Sequence, residues 1–200
     1  MDRNMGVLER RILGVDDIRV ARVGDVTKLV GHAAVFDKLS VDLGGFRERI
    51  KRGAFKESLA DEDVLAFFNH DSSMVLGRVS AGTLTVREDK VGLLMEVEPP
   101  DVTWANDMLR SIERGDIRQM SFGFDTIDDN WGHEDEELIR TLLKVRLREV
   151  SIVAMPAYPD TDVAIRSMTE FVAHSDAMRI AESRTNHAKL RLMEDDVVIV

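Results

Sequence analysis

The sequence predicts a mainly β fold with flanking helices, of the α+β class. Short apolar runs that alternate with polar residues recur along residues 1–166, as expected of half-buried strands. Only two segments in that range have the periodicity of helices. The chain has 200 residues, of which 44% are hydrophobic and 32% charged, so it can bury a sizeable core. We predict one β-rich domain over residues 1–166 and a C-terminal tail over residues 167–200.

The first half of the chain is predicted to form strands, with one short helix among them. The first predicted strands are IRVARV (18–23) and KLVGHAAVF (28–36). A third begins at about Asp63 and includes the apolar run VLAFF. VLGRVS forms the next strand, and TLTVRED and LLMEVE then form a hairpin. That hairpin turns near residues 89–92. The segment GAFKESLA, which begins at Gly53, is predicted to be the helix.

The segment PPDVTWANDMLRSIERGD contains the clearest helix. Thr103 can cap its N-terminus, and Gly115 stands at its C-terminal end. Its apolar stripe consists of Trp104, Met108, Leu109 and Ile112. The strand RQMSFGFDT follows, and ELIRTLLKVRLREVSIVAMPA then supplies one or two strands. The tail after Ser167 is polar and has the composition of a weakly amphipathic helix.

Charge and composition exclude several classes of protein. The formal net charge is −10, which argues against the basic surface that nucleic-acid-binding proteins use. The chain has no cysteine, which excludes disulfides, thiolate catalysis and cysteine-based zinc sites. The first residues contain no apolar segment of a signal peptide, and runs such as VLAFF are too short to cross a membrane. We predict a soluble intracellular protein that binds no nucleic acid, membrane or cofactor.

Ser121 and His70 are polar residues in otherwise apolar surroundings. In RQMSFGFDT, Met120, Phe122 and Phe124 lie on one face, and Ser121 lies on the other beside Gly123, which leaves room next to it. His70 ends the apolar strand in FFNHDSS, at a junction between strand and loop. Taken one at a time, a solvent-facing serine and a structural histidine are the more common explanations of these positions. Because no second histidine lies at ligand spacing from His70, no metal site is predicted.

Glu149 is the third polar residue of this kind. Period-two alternation in VRLREVSIV predicts one shared face for Val145, Leu147, Glu149, Ser151 and Val153. A carboxylate on such a face costs several kcal/mol, to an order of magnitude, unless a partner satisfies it. Glu149 therefore needs a cationic or hydrogen-bonding neighbour from elsewhere in the fold. A structural salt bridge and a functional contact both meet that need.

Together, a serine, a histidine and a carboxylate are the components of an acyl-transfer site. The serine attacks a carbonyl, the histidine takes its proton, and the carboxylate fixes the imidazole tautomer. Here the order along the chain would be His70, Ser121 and Glu149, which differs from the order in trypsin-like enzymes and in α/β-hydrolases. Such a site is defined by the roles of its residues and not by their order.

Six segments, taken in order, resemble the prohead (capsid maturation) proteases of tailed bacteriophages, the HK97-type family. They are GHAAVFDK, RGAFKESL, FFNHDSSMVLGRV, VGLLMEVEPPD, GDIRQMSFGF and REVSIVAMPAYPDTDVAI, and they run from Gly31 to Ile165. The resemblance implies a serine endopeptidase with a β-barrel like that of the herpesvirus assembly proteases. The family's catalytic residues fall on His70, Ser121 and Glu149. In the related viral proteases the third residue is a histidine, so Glu149 departs from that pattern.

The resemblance also implies partners and a place of action. Such proteases enter the assembling procapsid in the host cytoplasm, and there they cleave the capsid protein precursor, the scaffolding protein or segment, and themselves. The tail over residues 167–200 would then dock onto scaffold or capsid protein and later be removed, although a plain helix packed on the barrel also explains it. The related viral proteases dimerise, which suggests a homodimer. Two other functions are kept as alternatives: a catalytically inactive scaffold or capsid-interaction module of the same fold, and an esterase.

Overall fold

The computed structural model describes residues 8–12, 16–155, 168–173, 175 and 177–178. The chain consists mainly of strands with few helices, and its sheet curls into a half-barrel, which confirms the predicted mainly β class. It divides into two compact units, residues 1–161 and 162–200. In the second unit residues 168–173 are helical, and the Ser175 hydroxyl donates to the Val172 carbonyl at 2.9 Å. The predicted boundary at residues 166/167 lies outside the described residues and stays a prediction.

Ten strands and two helices have defined bounds within the described residues. The strands are β1 (Glu9–Arg11), β2 (Arg19–Val23), β3 (Val26–Val35), β4 (Arg47–Ile50), β5 (Leu65–Phe68), β6 (Asp71–Arg78), β7 (Leu84–Glu88), β8 (Gly92–Val97), β9 (Gln119–Glu134) and β10 (Glu137–Val153). The helices are α1 (Lys56–Asp61) and α2 (Thr103–Arg114). No helix among the described residues is long and apolar enough to span a bilayer.

The strands form two sheets. The larger has the order β1-β9-β10-β5-β6, and β4 also pairs with β10. The smaller has the order β2-β3-β8-β7. Strands β9 and β10 form one long antiparallel hairpin, in which Asp135 and Glu136 turn the chain with φ of 47° and 69°. β10 also pairs in parallel with β4 near its start and with β5 near its end. β10 therefore joins the elements that carry the candidate residues.

The apolar core lies under β9 and β10. Phe122 stacks on Phe124 at 5.0 Å between ring centroids, and Phe55 meets Phe122 edge-on at 5.6 Å. The predicted apolar stripe of α2 is confirmed: Met108 and Ile112 are buried, and Trp104 and Leu109 pack against the core. Gly115 ends α2 with a left-handed φ of 82°. The cap predicted at Thr103 is wrong, because the helix begins at that residue and Val102 precedes it without a side-chain cap.

His32 on β3 lies between two aspartates. Its Nδ1 contacts Asp17, and its Nε2 is 3.0 Å from Asp89 Oδ2. Burial lowers the pKa of His32, but the hydrogen bonds to both carboxylates outweigh it, so that pKa is raised above its ordinary value. For Asp89, burial has the opposite effect and raises the pKa. Hydrogen bonds from the Gly92 and Val91 N–H groups and from His32 outweigh it and lower the pKa of Asp89 to about 2. This cluster therefore makes folding stability depend on pH.

The stabilisation from His32 is expected to decline as the pH rises. Because the pKa of His32 is raised in the folded state, its contribution is complete below the unfolded pKa of about 6.5 and is lost as the pH passes through the folded pKa. Urea denaturation at several pH values should show a steeper fall in unfolding free energy above about pH 6.5 for the wild type than for His32→Gln. The exposed His133→Gln is the control and should keep the wild-type dependence. Equal slopes for the wild type and His32→Gln would contradict this expectation.

Candidate active site

His70 lies in a two-residue turn between β5 and β6. Asn69 and His70 have φ of 52° and 60°, and Phe68 pairs with Asp71 across the turn, as in a type I′ hairpin. The turn is tied to β10, because the Asn69 N–H donates to the Ile152 carbonyl at 2.8 Å. The Asn69 side-chain oxygen also accepts from the Ala154 N–H at 2.9 Å. His70 is thus held beside the end of β10.

A β-bulge in β10 decides where Glu149 points. Leu147 lies opposite Phe124, whereas Glu149, only two residues later, lies opposite Gly123. Directly opposed residues share a face, so Leu147 faces the core and Glu149 faces the other side of the sheet. The predicted shared face of Leu147 and Glu149 is therefore wrong, because alternation does not anticipate the extra residue of a bulge. The bulge places Glu149 on the face of Ser121.

Both oxygens of the Glu149 carboxylate have hydrogen-bond partners. His70 Nδ1 lies 2.6 Å from Oε1, and the Ser151 hydroxyl donates to Oε2 at 2.6 Å. The side chains of His70 and Glu149 are 9% and 6% exposed, so the contact is largely shielded from water. A carboxylate only accepts hydrogen bonds, so Nδ1 carries a proton, and Nε2 is the acceptor nitrogen of the neutral imidazole. This pair has the geometry of the histidine and acidic residue of an acyl-transfer site.

Ser121 lies on the same face, two residue pairs farther along the hairpin. It is directly opposite Ser151, two residues from the pairing of Gly123 with Glu149, which corresponds to about 7 Å along a strand. Ser121 is fully buried, and its hydroxyl donates to the Arg11 carbonyl at 3.0 Å. The structure thus brings His70 and Glu149 into contact and places Ser121 on their face without a hydrogen bond to His70. The assignment of these three residues to catalysis stays a prediction.

The space beside Gly123 is occupied by Glu149. A Cβ atom at Gly123 would lie 2.6 Å from Glu149 Oε1 and 3.0 Å from its Cγ. The glycine therefore accommodates the carboxylate, and the room that the sequence suggested at this position is not open. Gly123 helps to define the position of Glu149.

Sequence patterns did not identify three further residues at the site. Ser151 orients the carboxylate, and Asn69 ties the turn of His70 to β10. Arg10 on β1 has its Nε 3.8 Å from Glu149 Oε1. The only local signal is the position of Ser151, two residues after Glu149 on a strand. Within the described ranges, no group of three or more acidic or histidine side chains could hold a metal ion.

Comparison with known proteins gives one family match. The model of the caudovirus prohead serine proteases matches residues 17–176. The solved structure of the bacteriophage T4 capsid assembly protease, gp21, is similar with a TM-score of 0.48 at 10% sequence identity, and the similarity covers 75% of this chain and 97% of that one. No curated protein sequence matches the chain.

Proposed function

The chain belongs to the caudovirus prohead serine protease family, and we propose that it is the maturation endopeptidase of a procapsid, with Ser121 as nucleophile, His70 as general base and Glu149 as the residue that orients His70. One observation carries this proposal: the buried contact of 2.6 Å between His70 Nδ1 and Glu149 Oε1, on the face of the sheet that also holds Ser121. A histidine held in this way has its Nε2 available to a serine hydroxyl.

The proposed reaction has two stages. In the first, a bond forms between Ser121 Oγ and the carbonyl carbon of the scissile peptide, and the hydroxyl proton moves to His70 Nε2. The C–N bond then breaks, and His70 returns the proton to the leaving amine. In the second stage His70 takes a proton from water as its oxygen attacks the acyl carbon, the bond between that carbon and Ser121 Oγ breaks, and His70 returns the proton to Oγ. Glu149 stabilises the imidazolium that forms in both stages.

In this structure the Ser121 hydroxyl is not in position to give its proton to His70. Ser121 is fully buried and its hydroxyl is bonded to the Arg11 carbonyl, whereas His70 Nε2 has no hydrogen-bond partner among the described residues. Proton transfer therefore requires the Ser121 side chain to rotate toward His70, and access of a peptide requires the groups over Ser121 to open. A rotation about one side-chain bond takes picoseconds to nanoseconds on a surface and is slower in a packed site.

The proposed substrates are the major capsid protein precursor and the scaffolding protein or segment, cleaved inside the assembling procapsid in the host cytoplasm. Family membership supports this choice.

We also propose self-cleavage within the tail, residues 167–200, after that tail has docked onto scaffold or capsid protein. If a chain lacking residues 168–200 could not be obtained as soluble protein, the tail would be part of the fold and this idea would fail. A homodimer, in analogy with the related viral proteases, is proposed as the assembly.

The same geometry favours a second candidate function. Because Ser121 is buried and not bonded to His70, the chain would also suit a catalytically inactive module that binds capsid or scaffold protein. Labelling with an alkyl fluorophosphonate separates the two functions, since this probe reacts only with an activated serine. We expect a single adduct at Ser121 by peptide mapping of the intact chain, and none in Ser121→Ala. No adduct, or an adduct at Ser151, would overturn the assignment of Ser121 and favour the inactive module or a different nucleophile.

Gly123→Ala is expected to impair catalysis more than folding. The new Cβ would displace the Glu149 carboxylate from His70 and Ser151, and a displacement of about 1 Å in an active site can cost about 100-fold in rate. Overpacking of this kind destabilises a fold by about 1–3 kcal/mol. The labelling rate and thermal unfolding should be measured together. Gly132→Ala on the same strand is the matched control, because a Cβ there meets nothing within 4 Å. Labelling of Gly123→Ala at the wild-type rate would contradict this expectation.

A further inference from the structure

Strand β1 pairs with the strand that carries Ser121. Its residues Glu9, Arg10 and Arg11 lie opposite Phe124, Gly123 and Phe122, so it forms the edge of the larger sheet directly beside the candidate nucleophile. It precedes residues 17–176, the range that the family model matches. Whatever β1 contributes to the site is therefore supplied by this chain outside the matched range.

A cluster of buried charges, formed by Glu9, Arg11, Glu48 and Arg140, anchors β1. Arg11 donates to Glu9 at 2.7 Å and to Glu48 at 2.9 Å, and Arg140 donates to Glu9 at 2.8 Å and to Glu48 at 3.1 Å. All four side chains are at most 2% exposed. Removing one partner from a buried ion pair is strongly destabilising, so this cluster holds β1 firmly against β9.

The alternation of side chains places Arg10 on the opposite face from this cluster. That face is the one of Gly123, and Gly123 is in turn opposite Glu149 on β10. Because Gly123 has no side chain, Arg10 can reach across β9 to the carboxylate, and its Nε lies 3.8 Å from Glu149 Oε1. That oxygen is the one that accepts from His70 Nδ1. Arg10 and His70 thus approach the same carboxylate oxygen.

Two buried side-chain nitrogens stand out at this site. Arg10 Nε and His70 Nε2 are the buried side-chain polar atoms that lack a hydrogen-bond partner among the residues the structure describes. Arg10 Nε itself lies 3.8 Å from Glu149 Oε1, and the other ring nitrogen of His70, Nδ1, lies 2.6 Å from the same oxygen. Buried polar atoms without partners are uncommon in folded proteins, and two at one carboxylate indicate a functional arrangement. His70 Nε2 is explained by the proposed proton transfer, and Arg10 Nε is not.

We propose that Arg10 is a positioning residue of the active site, which acts through Glu149. Its side chain, 35% exposed at the edge of the sheet, supplies a positive charge that holds the carboxylate in the orientation which receives His70 Nδ1–H. As Nε closes from 3.8 Å to hydrogen-bond distance, the contact becomes a charge-assisted hydrogen bond. This inference rests on the proposed function, since it assigns Arg10 a role in the reactivity of Ser121. It makes β1 part of the active site.

The test is the kinetics of fluorophosphonate labelling at Ser121 in the full chain. For Arg10→Gln we expect the saturating labelling rate to fall about tenfold, with the half-saturating probe concentration unchanged, because the variant loses the charge that orients Glu149 while partial exposure limits the size of that effect. Arg10→Lys, which keeps the charge, should recover most of the rate. Arg22→Gln is the matched control: it removes an exposed ion pair between Arg22 on β2 and Glu113 on α2, and should label like the wild type.

The labelling experiment distinguishes failure of the inference about Arg10 from failure of the proposed function. If wild-type Ser121 is labelled and Arg10→Gln is labelled at the same saturating rate, Arg10 has no positioning role, although the proposed function stands. If Arg10→Gln changes only the half-saturating concentration, Arg10 acts on probe binding and the inference is also overturned. If wild-type Ser121 is not labelled, the proposed function itself fails. Thermal unfolding of each variant shows whether a lower rate reflects loss of the fold, and Arg10→Lys then provides the decisive comparison.

Discussion

Replacing Glu149 with glutamine is expected to lower the turnover number about 10⁴-fold while the fold is retained. The amide has nearly the shape of the carboxylate and its oxygen can still accept from His70 Nδ1, which the carboxylate contacts at 2.6 Å. However, the amide carries no charge to stabilise the imidazolium, and its NH₂ group would face either His70 or the Ser151 hydroxyl that now donates at 2.6 Å. A wrong orientation of the amide would favour the wrong imidazole tautomer.

Peptide cleavage and fluorophosphonate labelling measure this effect, with thermal unfolding as the check on folding. Glu134→Gln is the matched control: Glu134 pairs with Arg49 at the exposed tip of the hairpin, and its loss should leave turnover unchanged. Turnover of Glu149→Gln within about tenfold of the wild type would mean that Glu149 is structural. In that event the contact with His70 would be an ordinary buried ion pair.

Replacing Arg140 with methionine is expected to lower the free energy of unfolding by about 3–5 kcal/mol, because it leaves Glu9 and Glu48 buried with only Arg11 to balance them. Arg140 donates to both of these carboxylates and to Asp129, which it reaches at 2.6 Å. Burial raises the pKa of Glu48 above its ordinary value, although the charges of Arg11 and Arg140 oppose this effect.

Urea denaturation gives the unfolding free energy directly. Arg78→Met removes an exposed pair with Asp63 and should cost less than about 1 kcal/mol. The double variant Arg140→Met/Glu48→Met should be less destabilised than the sum of the two single variants, because it removes the unbalanced charge together with its partner. Additive effects, or a loss for Arg140→Met similar to that for Arg78→Met, would show that the cluster does not hold β1.

The anchoring of β1 links the stability of the fold to the proposed catalysis. The cluster that Arg140 completes fixes Glu9 and Arg11 on one face, and Arg10 reaches the active site only because its neighbours are fixed. Loosening the cluster should therefore reduce the reactivity of Ser121 even at temperatures where the rest of the fold persists. The core and the active site share this strand.

Local patterns were sufficient for the regular parts of the fold. Alternation in RQMSFGFDT predicted that Met120, Phe122 and Phe124 are buried on one face, as the structure has them. The stripe of Met108 and Ile112 correctly gave the buried face of α2. In these segments each residue follows the period of its element, so sequence and structure agree.

The parts of the site that could not be predicted depend on departures from regular geometry and on long-range pairing. The bulge before Glu149 inserts one residue and reverses the face of that side chain, which alternation cannot anticipate. His70 leaves its strand through a left-handed turn, so its side chain does not continue the face of Phe68. Arg10 meets Glu149 only because β1 pairs with β9, far away along the chain. Nor does a pattern of residues reveal that Ser121 is fully buried.

The most direct test is co-expression of this chain with the capsid protein precursor from the same genome, as wild type and as Ser121→Ala, followed by the intact mass of every product. We expect defined cleavage of the precursor with the wild type, and none with Ser121→Ala, whose thermal unfolding should match the wild type. Equal cleavage by both chains would contradict the role of Ser121. Binding of the precursor without cleavage by either chain would contradict the proposed enzyme and favour the inactive module.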